Sequence, residues 1–74
     1  MSTTHLTPRQ IVVMQLLSAD MPDKDVAECL GIGQSTVWYH VRQVGKAFGV
    51  RKRSAACYLF GRWEEREALL KSSV

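Results

Sequence analysis

Apolar positions in this 74-residue chain recur at spacings of three and four residues, and no stretch alternates as a strand would. In the segment LTPRQIVVMQLLSADM, Val13, Leu16 and Leu17 form an i, i+3, i+4 stripe. Thr7 is a good N-cap, and Pro8 suits a first helical position, where its missing N–H costs nothing. A first helix is therefore expected from about Pro8 to Ser18. The next segment, MPDKDVAECLG, opens on Pro22 and Asp23, with acids in the first turn, where the helix dipole favours them. Val26, Ala27 and Leu30 are expected to face inward, and Gly31 to stop the helix.

A third helix is read from IGQSTVWYHVRQVGKAFGV, with Gly33 as N-cap and Gly49 as terminator. Val37, Val41, Val44 and Phe48 stand at i, i+4, i+7 and i+11, which is one helical stripe. If those four point to the core, Trp38 and Arg42 share a different face, with Tyr39 and Lys46 near it and His40 at the rim. Gly45 lies inside this helix at a cost of about 1 kcal/mol relative to Ala, which suggests close approach of another helix. A basic turn, VRKR, leads to a fourth helix of about residues 54–71, capped by Ser54. Its apolar residues (Ala56, Cys57, Leu59, Phe60, Trp63, Leu69 and Leu70) spread over more than one face, which is too wide for one buried stripe. The expectation is an all-α, four-helix domain over residues 6–74, preceded by a flexible polar tail at residues 1–5.

Composition narrows the functional classes. Hydrophobic residues make up 46% and charged residues 23%, a globular rather than disordered balance. There is no internal repeat. No apolar run approaches the ~18 residues of a membrane span, and the N-terminus has no basic-then-apolar leader. Cys29 and Cys57 stand without CxxC spacing and are expected to be reduced thiols in a cytoplasmic protein. His40 has no His, Asp or Cys at ligand spacing, so no metal or other cofactor is expected. A nucleophile and base made from His40 and a cysteine would lack any orienting motif or oxyanion loop, so the chain is not expected to be an enzyme. The net charge is +3, and its distribution says more than its size. Between Cys29 and Trp63 there is no acid, while Arg42, Lys46, Arg51, Lys52, Arg53 and Arg62 lie in that window. An all-positive middle between acidic flanks suits a phosphate-bearing partner.

A short helix, a Gly31-Ile32-Gly33 turn and a longer helix make a helix-turn-helix. The stretch also resembles the LuxR/FixJ/GerE-type DNA-binding domain over about residues 6–60. Matching residues are Leu6-Thr7-Pro8-Arg9, then Lys24, Val26, Ala27, Leu30, Gly31 and Ile32, then Thr36-Val37, His40, Gly49-Val50, Arg53 and Ala56. The resemblance implies a cytoplasmic bacterial transcription regulator that binds duplex DNA, usually as a homodimer on a two-fold site. It implies a third helix in the major groove and dimer contact through the fourth. Family base contacts fall here on Trp38, Tyr39 and Arg42. Phosphate contacts fall on Lys24, Thr36 and the Arg51-Lys52-Arg53 turn, with Lys46 beside them.

Several positions depart from the family pattern. Gln10 replaces a common Glu, Gly33 a Ser cap and Ser35 a Lys. Ile11 and Val12 stand where charged residues are usual, and Trp38 occupies a base-facing position commonly held by Lys. Arg42 is suited to bidentate bonding to guanine. Trp38 and Tyr39 can pack on thymine methyls and sugar edges, or anchor a protein contact. Ala56, Leu59, Phe60, Trp63 and Leu70 are the expected dimer face, interrupted by Arg66. The alternative to a DNA-binding regulator is a small interaction protein that pairs with another LuxR-type regulator and disables it, or binds some other protein; besides DNA and a second copy, the candidate partners are another transcription regulator and RNA polymerase. Met1 and the C-terminal tail read as those of a whole small protein without a sensor domain.

Overall fold

The computed structural model describes residues 5–72. Its elements are α1 (Pro8–Ser18), α2 (Asp23–Leu30), α3 (Gln34–Phe48) and α4 (Arg53–Ser72), with no strand among the described residues. The all-α, four-helix architecture expected from apolar periodicity is the one observed. Most of the proposed tail, residues 1–4, and the final residues 73–74 lie outside the described residues.

Local chemistry accounts for the helix ends. Thr7 and Gln10 form a capping box: Thr7 Oγ1 accepts from the Gln10 N–H at 3.2 Å, and Gln10 Oε1 accepts from the Thr7 N–H at 2.9 Å. Gln10 therefore does the work that a Glu does in such a box. Three helices end in the same pair of backbone bonds. Gly31 and Ile32 donate to Glu28 and Ala27, at 3.3 and 2.9 Å, and Gly49 and Val50 donate to Lys46 and Gly45, at 3.1 and 2.8 Å. Asp20 and Met21 repeat the motif on Leu17 and Leu16, at 3.1 and 3.3 Å. Gly31 and Gly49 take the left-handed conformation that the motif requires, and Asp20 takes it at φ 65° without the freedom of glycine.

The core is built from Val13, Met14, Val26, Ala27, Val37, Val41, Val44 and Phe60. α3 is its centre and packs against each of the other three helices. Its expected stripe is buried at Val37, Val41 and Val44, with Phe48 half-buried at the end. In α1 the fully buried pair is Val13 and Met14, while Leu16 and Leu17 pack against the cluster from its edge. Gly45 has a different reason from the one expected. A Cβ there would stand 2.9 Å from the Val50 carbonyl oxygen, whereas the nearest atom of α4, Ala56 Cβ, is at 3.9 Å. The returning chain after α3 requires the glycine, and α4 does not.

Two expectations for α4 are corrected. Its first helical bond runs from the Ala56 N–H to the Lys52 carbonyl, so the helix begins before Ser54, which sits in its first turn rather than capping it. Phe60 is 0% exposed and Ala56 1%, so both are part of the monomer's interior and neither is free to form a dimer face. The apolar width of the helix arises because one side docks on α1 and α3 while Leu69 and Leu70 extend past that docking site, both exposed.

Candidate nucleic-acid interface

Because α3 commits a single stripe to the core, everything on its other side is available. Trp38 and Arg42 lie one turn apart on the solvent side, and Tyr39 and Lys46 stand beside them. Trp38 is 51% exposed and Tyr39 59%, high values for residues of this size on the central helix of a small domain. Ser35, also exposed, precedes Tyr39 by four residues and Arg42 by seven, and so belongs to the same surface. In the sequence it stands out only as a departure from the family Lys, since a serine has no charge or bulk to draw notice. Gly33 caps α3 without a side-chain hydrogen bond, leaving the first backbone N–H groups of that helix without a competing side-chain acceptor.

Exposed cations lie on the elements on either side of α3. Lys24 follows the first residue of α2, Thr36 is half-buried in the first turn of α3, and Arg51 and Lys52 are exposed in the turn before α4. Among the described residues, Lys24, Arg42, Lys46, Arg51 and Lys52 form no ion pair. The remaining member of the basic turn behaves differently. Arg53 extends a two-pronged guanidinium to Asp23: Nη1 donates to Oδ2 at 2.8 Å, and Nη2 donates to Oδ1 in a second, shorter bond. The guanidinium holds the Asp23 carboxyl below its ordinary value of 3.8, chiefly through these hydrogen bonds and against the opposing cost of desolvation. The carboxylate in turn raises the Arg53 value. An Asp–Arg pair thirty residues apart carries no sequence signal, so the partner of Arg53 is visible only in the fold.

His40 sits at the rim, as its spacing suggests. It is half-buried, its ring meets Tyr39 edge-on at 5.8 Å, and its Nδ1 is shut off from solvent without a hydrogen-bond partner among the described residues. On α4, Trp63 tilts onto Phe60 with ring centroids 5.7 Å apart and is half-buried, so much of its surface already serves the fold. Leu59 and Trp63 line an open groove of about 520 Å³ with Phe48, Arg62, Arg66 and Leu69. Leu70 is exposed near the helix end. Gln15 of α1 donates to Glu64 of α4 at 2.7 Å, a second cross-helix bond with no sequence signal. Ile11, one of the apolar departures, packs against the core, whereas Val12 is exposed. Cys29 and Cys57 are free thiols. No helix among the described residues is long and apolar enough to cross a membrane, and these residues contain no cluster of three or more potential metal ligands.

A helix-turn-helix with an acid-free, aromatic and basic second helix defines the class as a nucleic-acid-binding domain of transcription regulators. Residues 4–60 match the family of bacterial regulatory proteins of the luxR type, GerE. The chain belongs to that LuxR-type helix-turn-helix family, whose domains are DNA-binding regulators. It is 36% identical over 55 residues to the nitrate/nitrite response regulator protein NarP of Escherichia coli strain K12; the match covers 74% of this chain and 26% of NarP. The chain thus spans about a quarter of that relative's length. No solved structure matched it.

Proposed function

We propose that this chain is a sequence-specific regulator of transcription that lays α3 in the major groove of duplex DNA. The observation that carries the reading is the outer face of α3. Two large aromatic side chains and an arginine stand in solvent there, without an ion pair among the described residues and without an acid on that helix. Arg42 reads guanine through O6 and N7, and Trp38 and Tyr39 pack on thymine methyls and sugar edges. Lys24, Thr36, Lys46, Arg51 and Lys52 hold the backbone and set the register of α3 in the groove.

Two copies pair through α4 on an inverted repeat, with recognition helices about one DNA turn apart. The face that supports pairing is the groove of Leu59, Trp63 and Leu69, continued by Leu70. It carries Arg62 and Arg66 beside Glu65, both signs of charge, so a two-fold contact can match them reciprocally.

An anisotropy titration of mixed duplexes at two salt concentrations tests the reading. Log affinity should fall with log salt at a slope of about −3 to −4 per protomer, from the four exposed flanking lysines and arginines. Selection from a random duplex pool should return a two-fold site. Failure to bind any duplex at low salt would overturn the proposal. The exposed indole of Trp38 equally suits an anchor for protein, so a stoichiometric complex with a LuxR-type regulator in place of DNA binding would favour the interaction-protein reading.

A further inference from the structure

We propose that Asp23 and Arg53 do not touch DNA but act together as positioning residues that hold the two phosphate-gripping flanks of α3 at a fixed separation. The inference rests on the DNA-binding reading above and concerns how that surface keeps its shape.

Asp23 is the first residue of α2 and Arg53 the first of α4. Each is the direct neighbour of a proposed backbone contact, Lys24 on one side and Lys52 on the other. The fork between them closes the chain around the whole α2–turn–α3–turn unit. Among the described residues the backbones of α2 and α4 do not otherwise approach each other; both helices rest on α1 and α3 and share only the common core. A two-pronged Arg–carboxylate pair is therefore the direct tie between two elements that could otherwise shift independently about α3. Arg suits this task where Lys does not, because its planar fork fixes orientation as well as distance. The pair is partly sheltered, with the side chains 36% and 26% exposed, so solvent competes with it less than with a free surface pair.

This arrangement makes a prediction opposite in sign to that of simple electrostatics. Asp23 is an acid on the margin of a cationic surface. If Arg53 were a phosphate contact and Asp23 merely a restraint on it, Asp23→Asn would free the guanidinium, remove a negative charge and tighten DNA binding. If the pair is a spacer, the same change loosens binding although the surface becomes more positive.

The test measures duplex affinity by anisotropy for wild type, Asp23→Asn, Arg53→Lys and the swapped double variant Asp23→Arg/Arg53→Asp. Assays run at a temperature where circular dichroism shows each variant fully folded. The expected result is a loss of about three- to fivefold for Asp23→Asn and for Arg53→Lys, consistent with one partly exposed pair, and recovery toward wild type in the swap. Tighter or unchanged binding by Asp23→Asn overturns the spacer, as does wild-type affinity in Arg53→Lys, which keeps the charge and loses the fork. If Asp23→Asn is not fully folded at any usable temperature, the swap decides: affinity near wild type supports the tie, and affinity below that of Arg53→Lys overturns it. Wild type that binds no duplex would defeat the DNA-binding reading itself, a result distinct from a binding protein whose Asp23 variant binds better.

Discussion

α3 and α4 are both long, both rich in apolar and aromatic residues, and both interrupted by one glycine, yet they spend those residues in opposite ways. α3 buries a narrow valine stripe and leaves Trp38 and Tyr39 outside. α4 takes Phe60 inside and leans Trp63 on it, and leaves only its third ring, Tyr58, in solvent beside Arg62. Valines at i, i+4 and i+7, with Phe48 at the edge, satisfy the centre of the domain, and that leaves Trp38 and Tyr39 free for the surface. In α4 an aromatic is needed to fill the space between α1 and α3. Trp38 and Tyr39 are thus left to solvent by their helix, while Phe60 and Trp63 hold theirs to the core, and burial on the opposite side of the helix decides which.

The largest effect should come from testing that division directly. Phe60→Ala is expected to cost about 3–5 kcal/mol of folding free energy, enough to unfold a domain this small. Trp38→Ala should change the urea midpoint little and act on DNA binding instead. Equal destabilisation by the two would erase the contrast.

Within α3, Arg42→Ala should cost about 1–3 kcal/mol on the preferred site and relax preference at one or two base pairs. Lys52→Ala should weaken all duplexes alike and flatten the salt slope by about one unit. Binding profiles of the two variants over a duplex library separate these outcomes; identical profiles would mean that base and backbone contacts are assigned wrongly.

The two glycines sharpen the comparison further. Gly45→Ala forces a Cβ to 2.9 Å from the Val50 carbonyl oxygen and should destabilise the domain by about 1–3 kcal/mol. Gly61→Ala meets nothing within 4 Å and should stabilise α4 by up to about 1 kcal/mol through helix propensity. Thermal melts of both variants check the sign.

The smallest effect is the pH dependence of the Asp23–Arg53 tie. Its carboxyl is held below 3.8 in the folded state, so its stabilisation is present in full above that value. It should fade as pH falls from about 4 through the lower folded value, and amount to under about 1 kcal/mol for so exposed a pair. Arg53→Ala should remove that increment near neutrality and leave the stability at the acid end close to wild type, as followed by urea titrations across pH.

Most of the fold was legible because its signals are local. Thr7, Pro8, Gly31 and Gly49 act on residues a few positions away, and they placed the start of α1 and the C-terminal ends of α2 and α3. The outward placement of Trp38, Tyr39 and Arg42 was legible for the same reason, since a helix of known start and one apolar stripe leaves only one other side. Asp20 as a helix stop was missed, because an aspartate in the left-handed conformation looks like any surface acid.

The chain by itself thus determined four helices, the limits of the first three and the character of the outer face of α3. Tertiary structure alone decided that Ala56 and Phe60 face the interior and that Arg53 belongs to Asp23. Helix periodicity relates residues within a few positions of each other along one element. The contacts that settled these cases join α3 or α2 to later parts of the chain, and only packing brings those parts together.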